Sequence, residues 1–399
     1  MRTLLHYEIK KILQKKSTWV ALAVLLILQI GISLMGNMGK DEVDAELVET
    51  HMQRNQTNRA NGLALSGSVI DQNLITKMQE AYAAIDMTDE KYPLTKEYQK
   101  GARPYSDLYQ KMSIWISGQN PVDITNVDAD ALYQLRRENQ QDLYTAYALS
   151  EKEISYWEKQ EEKLPAQFTY QYATSYENMT DMMGCYMSLM LLTFFIAVVM
   201  GNVFVEEYAR KTNPMIQCAR NGKGKLYMAK ILAGSIVSLV TALLFLCVLT
   251  AGSWICYGPE GFNASIQVAS AFLSSYHLSI GQVFLILGGL VLLASVLLGI
   301  LTMILAEIMR NSVGALAIMI GGLFAARLIV VPVSLGLISK LWNLIPINLV
   351  KQDQGFLDLR LFTIGKLQLT GWQMAPILYV LIGAVALLIG KYSYCRNRD

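Results

Sequence analysis

Six long apolar runs are the sequence feature that most constrains how this chain folds. A helix needs about 20 mainly apolar residues to cross the roughly 30 Å hydrocarbon core of a bilayer. Runs of about this length lie at 17–37, 182–205, 231–255, 282–306, 313–336 and 374–390. The fifth run contains one charged residue, Arg327, and the other five contain none. We therefore predict an all-α polytopic membrane protein with six transmembrane helices.

Acidic residues are concentrated between the first two runs. The chain has 34 Lys and Arg against 32 Asp and Glu, but residues 38–181 contain 14 of the former and 24 of the latter. This block is long enough for one independent domain. None of the five cysteines lies in it, so we expect a domain without disulfide bonds.

The domain between the first two runs is predicted to be mainly helical. Helix signals are found at 41–60, 68–86, 105–117 and 128–163. The last is the clearest, because Asp128 or Asp130 can cap its start and Pro165 lies just beyond its end. The alternating Phe168, Tyr170 and Tyr172 give the clearest strand signal.

Lysine and arginine in the short loops predict the orientation, since they favour the cytoplasmic side. With the N-terminus inside, the inside segments carry 15 of these residues and the short outside segments carry 4. The inside segments are 1–16, 206–230, 307–312 and 391–399, and the outside ones are 256–281 and 337–373. Both termini are therefore predicted to be cytoplasmic, and residues 38–181 to form an exoplasmic domain.

Residues 1–16 form an amphipathic segment before the first run. Leu4, Leu5, Ile9, Ile12 and Leu13 fall on one helical stripe, and four lysines occupy the opposite side. This pattern predicts a helix that lies in the headgroup layer. An ordinary basic flank that only sets the topology is the alternative, and the two are compatible.

The cytoplasmic loop 206–230 contains the signals of a short capped helix. Asn213 is an N-cap residue followed by Pro214 at the first helical position, and Gly222 can end the helix in the left-handed conformation. The predicted helix, about 214–221, presents an apolar side next to basic residues: Met215, Ile216 and Ala219 beside Arg220 and Lys223. We interpret it as a docking surface, with a purely topology-setting basic loop as the alternative.

The sequence contains no motif for catalysis or for a bound cofactor. The stretch from Asn221 to Lys225 contains two glycines and two lysines but lacks the spacing and the Ser or Thr of a phosphate-binding loop. No Cys or His spacing typical of a metal site is present. We expect a chain that is not an enzyme and binds no cofactor or nucleic acid.

These features resemble the permease subunits of the type-2 ATP-binding-cassette exporter family over nearly the full length. The resemblance rests on the basic N-terminal helix, the acidic exit of the second span (Glu206, Glu207), the capped loop helix, and Ala229-Lys230 at the start of the third span. The branch with a large exoplasmic domain often enters the second span through a stretch similar to Trp157, Pro165, Phe168, Tyr170 and Tyr172. Many relatives have Gly-Thr where this chain has Lys211-Thr212.

The resemblance implies two six-span permease subunits, as a homodimer or heterodimer, in the bacterial plasma (inner) membrane. It implies an ATPase dimer as a separate partner, which binds ATP and Mg and drives export. The residues implied to couple the two proteins are Glu206, Glu207, Asn213, Pro214, Met215, Ile216, Ala219, Arg220 and Lys223.

Two sets of residues inside the spans are candidates for the substrate pathway. Arg327 either snorkels to the outer interface or lines the pathway as a polar group. Met183, Met187 and Met190 are predicted to share a helix face with Met179, either as an adaptable apolar lining or, with Cys185, as a Cu(I) site. Residues 337–373 are compatible with re-entrant or surface helices.

The leading hypothesis is a permease that exports an amphipathic substrate, namely an antimicrobial peptide, a drug or a lipid. The apolar, Met-rich spans favour such molecules over small ions. The alternative is a mechanotransmission or sensor protein that uses the exoplasmic domain without moving a substrate.

Overall fold

The computed structural model describes residues 1–43, 46–89, 91–117, 127–212, 215, 218, 222–351, 356–365 and 367–396. In this part of the chain, five helical segments are long and apolar enough to cross a membrane. They are Lys16–Asn37, Met182–Ala209, Gly224–Tyr257, Ile280–Met309 and Gly371–Arg396.

The α-helices are numbered in chain order. They are α1 (Arg2–Leu13), α2 (Lys16–Leu34), α3 (His51–Leu65), α4 (Gln72–Ala83), α5 (Ser106–Ser117), α6 (Ala129–Ala146), α7 (Glu151–Glu161), α8 (Thr174–Thr180), α9 (Met187–Met200), α10 (Asn202–Ala209), α11 (Gly224–Tyr257), α12 (Ile266–Ala269), α13 (Ile280–Met309), α14 (Ser312–Leu328), α15 (Leu337–Asn343), α16 (Pro346–Leu349) and α17 (Gly371–Arg396). Two antiparallel hairpins pair β1 (Lys40–Val43) with β2 (Glu46–Thr50), and β3 (Phe362–Ile364) with β4 (Leu367–Leu369).

Helix α13 lies at the centre of the bundle, because it packs against α9, α11, α14 and α17. Helix α2 lies at the periphery and packs on α9 and α11. Only 11% of its most apolar stretch is buried. Its remaining apolar surface therefore faces lipid or another protein. We call the end of the bundle where α10 ends and α11 begins the loop end.

Helix α14 is shorter than the span predicted at 313–336. It begins after Asn311, whose side-chain oxygen accepts hydrogen bonds from the backbone N–H groups of Val313 and Gly314. It ends at Leu328, and Ile329 is already extended. Pro332 follows closely and disfavours helix at the residue before it. At 17 residues the helix is about 25 Å long, by the 1.5 Å rise per residue.

Residues 38–181 lie between α2 and α9, and we call the described part of this stretch the inserted domain. Two of its predicted helices differ in the structure. The stretch 41–60 begins as the β1–β2 hairpin before α3 starts at His51. The stretch 128–163 is two helices, α6 and α7, because Ala148 adopts a left-handed conformation (φ 47°) between them.

The core of the inserted domain is built from α4, α5, α6 and the extended aromatic stretch. Phe168 and Tyr170 are buried in this core, and Tyr172 is buried beside it. The backbone of this stretch pairs with residues 67–70 through three hydrogen bonds, including one from the N–H of Ile70 to the carbonyl of Phe168 at 2.9 Å. The predicted alternation is therefore present, as a short extended pairing that buries one face.

At the end of the bundle opposite the loop end, the segments 256–281 and 337–373 bind directly to the inserted domain. Arg136 donates hydrogen bonds to the carbonyls of Phe272 and Ser274, at 2.7 and 3.1 Å. Trp157 is fully buried, and its Nε1 donates to the carbonyl of Leu359. The described residues of 337–373 include α15, α16, β3 and β4, and Leu359 is hydrogen-bonded to the inserted domain.

Candidate functional site

A buried lysine organises the loop end of the bundle. The side chain of Lys230, in the second turn of α11, is fully buried. Its Nζ lies 2.7 Å from Oε1 of Glu207 and 3.5 Å from Oε2 of Glu8. It also donates to the carbonyl of Val203 at 3.0 Å and lies 5.3 Å from the centre of the Phe204 ring. A buried charge is tolerated only with such partners, so these contacts fix α1, α10 and α11 together.

The N-terminal helix is held by two further ion pairs. Lys11 lies 3.1 Å from Glu207, and Lys15 lies 2.6 Å from Glu206, which also pairs with Arg210 at 2.6 Å. Burial lowers the pKa of Lys11, but attraction to Glu207 and Glu8 outweighs it, so the pKa is raised above the ordinary 10.5. Lys11 is therefore charged at neutral pH. We call Glu8, Lys11, Glu207 and Lys230 the Lys230 cluster.

A second polar contact joins α13 to the same place. Glu307 is fully buried near the end of α13, and the hydroxyl of Tyr208 in α10 donates to its Oε1 at 2.6 Å. The guanidinium carbon of Arg310 lies 5.3 Å from the centre of the Tyr208 ring. Since Tyr208 directly follows Glu207, the end of α10 is bound on one side to α1 and α11 and on the other to α13.

Helix α10 ends in a Schellman motif that sets the direction of the following loop. The N–H of Thr212 donates to the carbonyl of Glu207, and the N–H of Lys211 donates to that of Tyr208, both at 3.0 Å. Lys211 has a φ of 55°, the left-handed region that favours glycine. A glycine would adopt this geometry without strain, and here a lysine adopts it.

The predicted docking helix is only partly within the described residues. Asn213, Pro214, Ile216, Ala219 and Arg220 lie outside them. Met215 and Cys218 are helical and exposed, Met215 by 78%, and Lys223 is exposed just before α11. These positions lie in sequence between the Schellman motif of α10 and the start of α11.

The predicted coupling carboxylates lie inside this site rather than on its surface. Glu207 is buried and Glu206 is half-buried, and both bind lysines of the same chain. Their ion pairs therefore hold the end of α10, after which the cytoplasmic loop of the prediction begins, against α1 and α11. The residues that the sequence predicted for coupling do not include Glu8, Lys230 or Glu307, although Lys230 is one of the positions on which the resemblance rests. The available signal was a charge directly beside an uncharged apolar run, as at Lys230 and Glu307.

The methionine candidates do not form one helix face. Gly184 has a non-helical backbone (φ −88°, ψ −114°) that breaks the helix between α8 and α9. A Cβ there would lie 2.0 Å from the carbonyl oxygen of Met179, so only glycine fits. Consequently Met179 is fully buried and Met183 is 43% exposed. Met187 and Met190 follow the break and are half-buried in α9.

Arg327 lies in the last turn of α14 and its side chain is exposed. Next to it, α9, α13, α14 and α17 line a partly open apolar cavity of about 320 Å³. Ala326 lines this cavity, whereas Met183, Met187 and Met190 are not among its described lining residues. Arg327 is not among the described lining residues either, so none of the candidate pathway residues lines this cavity directly.

Comparison with protein families identifies the chain. The family described as ABC-2 family transporter protein matches residues 15–389, which include the inserted domain and all of the long helices except the last turns of α17. No curated protein and no solved structure matches the chain. The resemblance inferred from the sequence is confirmed at the level of this family, whose members are the membrane component of a transporter and not its ATPase.

Proposed function

This chain belongs to the ABC-2 transporter family, and on that premise we propose that it is the permease subunit of an ATP-driven exporter. Two copies, or this chain and a related one, would associate with a dimer of separate ATPase subunits that bind ATP and Mg. The termini and the loop end would lie in the cytoplasm of a bacterium, and the inserted domain on the exoplasmic side. Helix α14 would be the fifth of six spans.

The observation that carries this proposal is the Lys230 cluster with the loop it holds. The segment 213–221 starts one residue after the Schellman motif of α10 and ends two residues before α11. Both neighbouring helices are locked to each other through Lys230 and Glu207 at 2.7 Å. A push on this segment would therefore reach α10 and α11 at once, as coupling to a separate ATPase requires.

Contacts of this size usually depend on a few buried apolar anchors. Met215 is a suitable anchor, because it is helical and 78% exposed. The proposed substrate is amphipathic, since the predicted spans are apolar and rich in methionine and Arg327 lies exposed in the last turn of α14. Antimicrobial peptides, drugs and lipids have this character.

The test is the Met215→Asp variant, co-expressed with the ATPase and purified in mild detergent. We expect it to insert normally but to lose the ATPase during purification and to lose substrate-stimulated hydrolysis. Met52→Asp is the matched control, because Met52 is 54% exposed on the inserted domain. A cross-linker attached to the exposed Cys218 should capture the ATPase. Normal co-purification of Met215→Asp together with normal export would refute the proposed coupling.

A further inference from the structure

The apolar cavity beside α14 has the chemistry of a binding site for one hydrocarbon chain. Its walls come from four helices of the bundle, and α15 and α16 cover it with Leu341, Leu344 and the stretch 345–347. Its volume of about 320 Å³ is roughly twice that of an engineered apolar cavity, of about 150 Å³, that stays dry and binds benzene. A cavity of this size and lining is therefore better filled by an apolar group than by water.

The polar atoms in its lining are already used. Among the described lining residues, the polar side chains are those of Thr193 and Tyr379. The Thr193 hydroxyl donates to the carbonyl of Leu189 at 2.8 Å, and the Tyr379 hydroxyl to that of Leu344 at 2.7 Å. Neither hydroxyl proton is available to a ligand. This lining favours a methylene chain over a peptide or a sugar, whose polar groups would stay unpaired.

A cation lies at the outer end of the same wall. Leu323 lines the cavity, and Arg327 follows it by four residues, so it lies one turn further along the same face of α14. Its side chain is exposed. Lys340, the cation of the covering helix α15, is occupied by Glu153 at 3.2 Å and the carbonyl of Leu361 at 2.9 Å. Arg327 is therefore the cation in position to meet a phosphate there, and guanidinium groups bind phosphates well.

We propose that this cavity is a lipid site in which one acyl chain of a membrane phospholipid lies between α9, α13, α14 and α17, with the lipid phosphate at Arg327. The site lies within one chain and does not require that the chain exports anything. Helix α15, which covers the cavity, is also bound to the inserted domain, because Lys340 donates a hydrogen bond to Glu153 at 3.2 Å.

Two neighbouring glycines of α14 allow a matched test. A Cβ added at Gly321 or Gly322 would meet no atom within 4 Å, so both positions accept a larger side chain. Gly322 lines the cavity, whereas Gly321 is not among its described lining residues. Gly322→Leu would therefore fill part of the cavity, and Gly321→Leu adds the same side chain outside it.

The full chain is reconstituted in phosphatidylcholine vesicles that contain a phosphatidylglycerol with a photoactivatable diazirine on one acyl chain. We expect labelled peptides from α14 and α15. Excluding two or more methylene groups from the cavity should lower this labelling about tenfold in Gly322→Leu. Labelling of Gly321→Leu should match the wild type. Equal labelling of the wild type and Gly322→Leu, or labelling confined to other helices, would overturn the proposal.

A second pair of variants serves if Gly322→Leu does not fold. Leu378→Phe enlarges a lining residue on α17, and Leu381→Phe is its control, since Leu381 is 55% exposed and is not among the described lining residues. The same loss of labelling is expected for the first and none for the second. If both variants of this pair are labelled as strongly as the wild type, the cavity does not hold the chain.

The role of Arg327 is tested with a second probe, a diacylglycerol with the same diazirine chain and no phosphate. The wild type should label with the phospholipid several-fold more strongly than with the diacylglycerol. Arg327→Gln should remove this difference. A wild type that labels equally with both probes would exclude a phosphate contact and assign the cavity to a chain from a neutral lipid.

Discussion

Replacing Lys230 with methionine tests the central contact of the loop end. Methionine has a similar length and is adaptable in packing, so it leaves little empty volume. It removes the ammonium group that lies 2.7 Å from Glu207 and 3.5 Å from Glu8. Glu207 is 4% exposed and Glu8 is 8% exposed, so neither carboxylate can be fully hydrated by water instead.

The expected loss follows from what remains. Removing one partner of a buried ion pair costs about 3–5 kcal/mol, because the other charge is left uncompensated. Glu207 retains Lys11 at 3.1 Å, so we expect the lower end, about 3 kcal/mol of unfolding free energy. A double variant, Lys230→Met with Glu207→Gln, removes both charges and should recover most of this loss, since replacing a whole pair is often nearly neutral.

The measurement is equilibrium unfolding of the purified chain in mixed micelles, with substrate-stimulated ATP hydrolysis of the reconstituted complex as the second readout. Lys225→Met is the matched control, because Lys225 lies on the same helix and is exposed. We expect that variant to stay within about 0.5 kcal/mol of the wild type. The reasoning is wrong if Lys230→Met is as stable as Lys225→Met, or if the double variant is as unstable as Lys230→Met.

Three further perturbations have defined outcomes. Lys211→Gly should stabilise the chain by about 1 kcal/mol in the same unfolding assay, because the left-handed conformation costs a lysine about that much, while Lys211→Val should destabilise it. Burial raises the pKa of Glu153, but hydrogen bonds from the N–H groups of Leu361 and Ser150 and from Lys340 outweigh it and hold the pKa below the ordinary 4.5. The contribution of the Glu153 carboxylate to stability is therefore present above pH 4.5 and is lost as the pH falls through the lowered pKa. The difference in unfolding free energy between the wild type and Glu153→Gln should shrink on acidification. A difference that grows on acidification would show that the pKa is raised instead. Arg327→Lys should insert and export like the wild type, because lysine also reaches water, and normal insertion with lost export would instead require the planar guanidinium.

The long helices could be predicted from the sequence because length and the absence of charge decide them. The apolar runs at 231–255 and 282–306 lie within α11 and α13, and the run at 182–205 lies within the segment Met182–Ala209, which is helical apart from the break at Gly184. The end of the run at 313–336 was mispredicted, since apolarity continues past Leu328 while the helix does not. Pro332 was the signal for an earlier end, and hydropathy alone does not register it.

The break between α6 and α7 was also readable in principle. Ser150 and Glu153 form a capping box, in which the Ser150 N–H donates to the Glu153 carboxylate at 2.9 Å. A serine followed three residues later by glutamate is a signature of a helix start. The apolar periodicity across 128–163 concealed it, because two helices in succession can continue nearly the same spacing.

The contacts of the Lys230 cluster could not be predicted from the sequence in the same way. Lys230 and Glu207 are separated by 23 positions, and Glu8 lies more than 200 positions away from Lys230. Their pairing depends on how α1, α10 and α11 pack, which no local pattern specifies. The sequence shows only that a charge lies next to an apolar run, and such a charge is equally compatible with a loop residue that faces water.

Helix α13 links this cluster to the inserted domain. It has 30 residues, which corresponds to about 45 Å at 1.5 Å per residue. Near one end Glu307 binds Tyr208 of α10, and just before the other end the carbonyls of Phe272 and Ser274 bind Arg136 of the inserted domain. A continuous helix of this length cannot shorten to absorb a displacement. Movement of α10 at the loop end must therefore either break the contact to Glu307 or tilt α13 and shift the segment that holds Arg136.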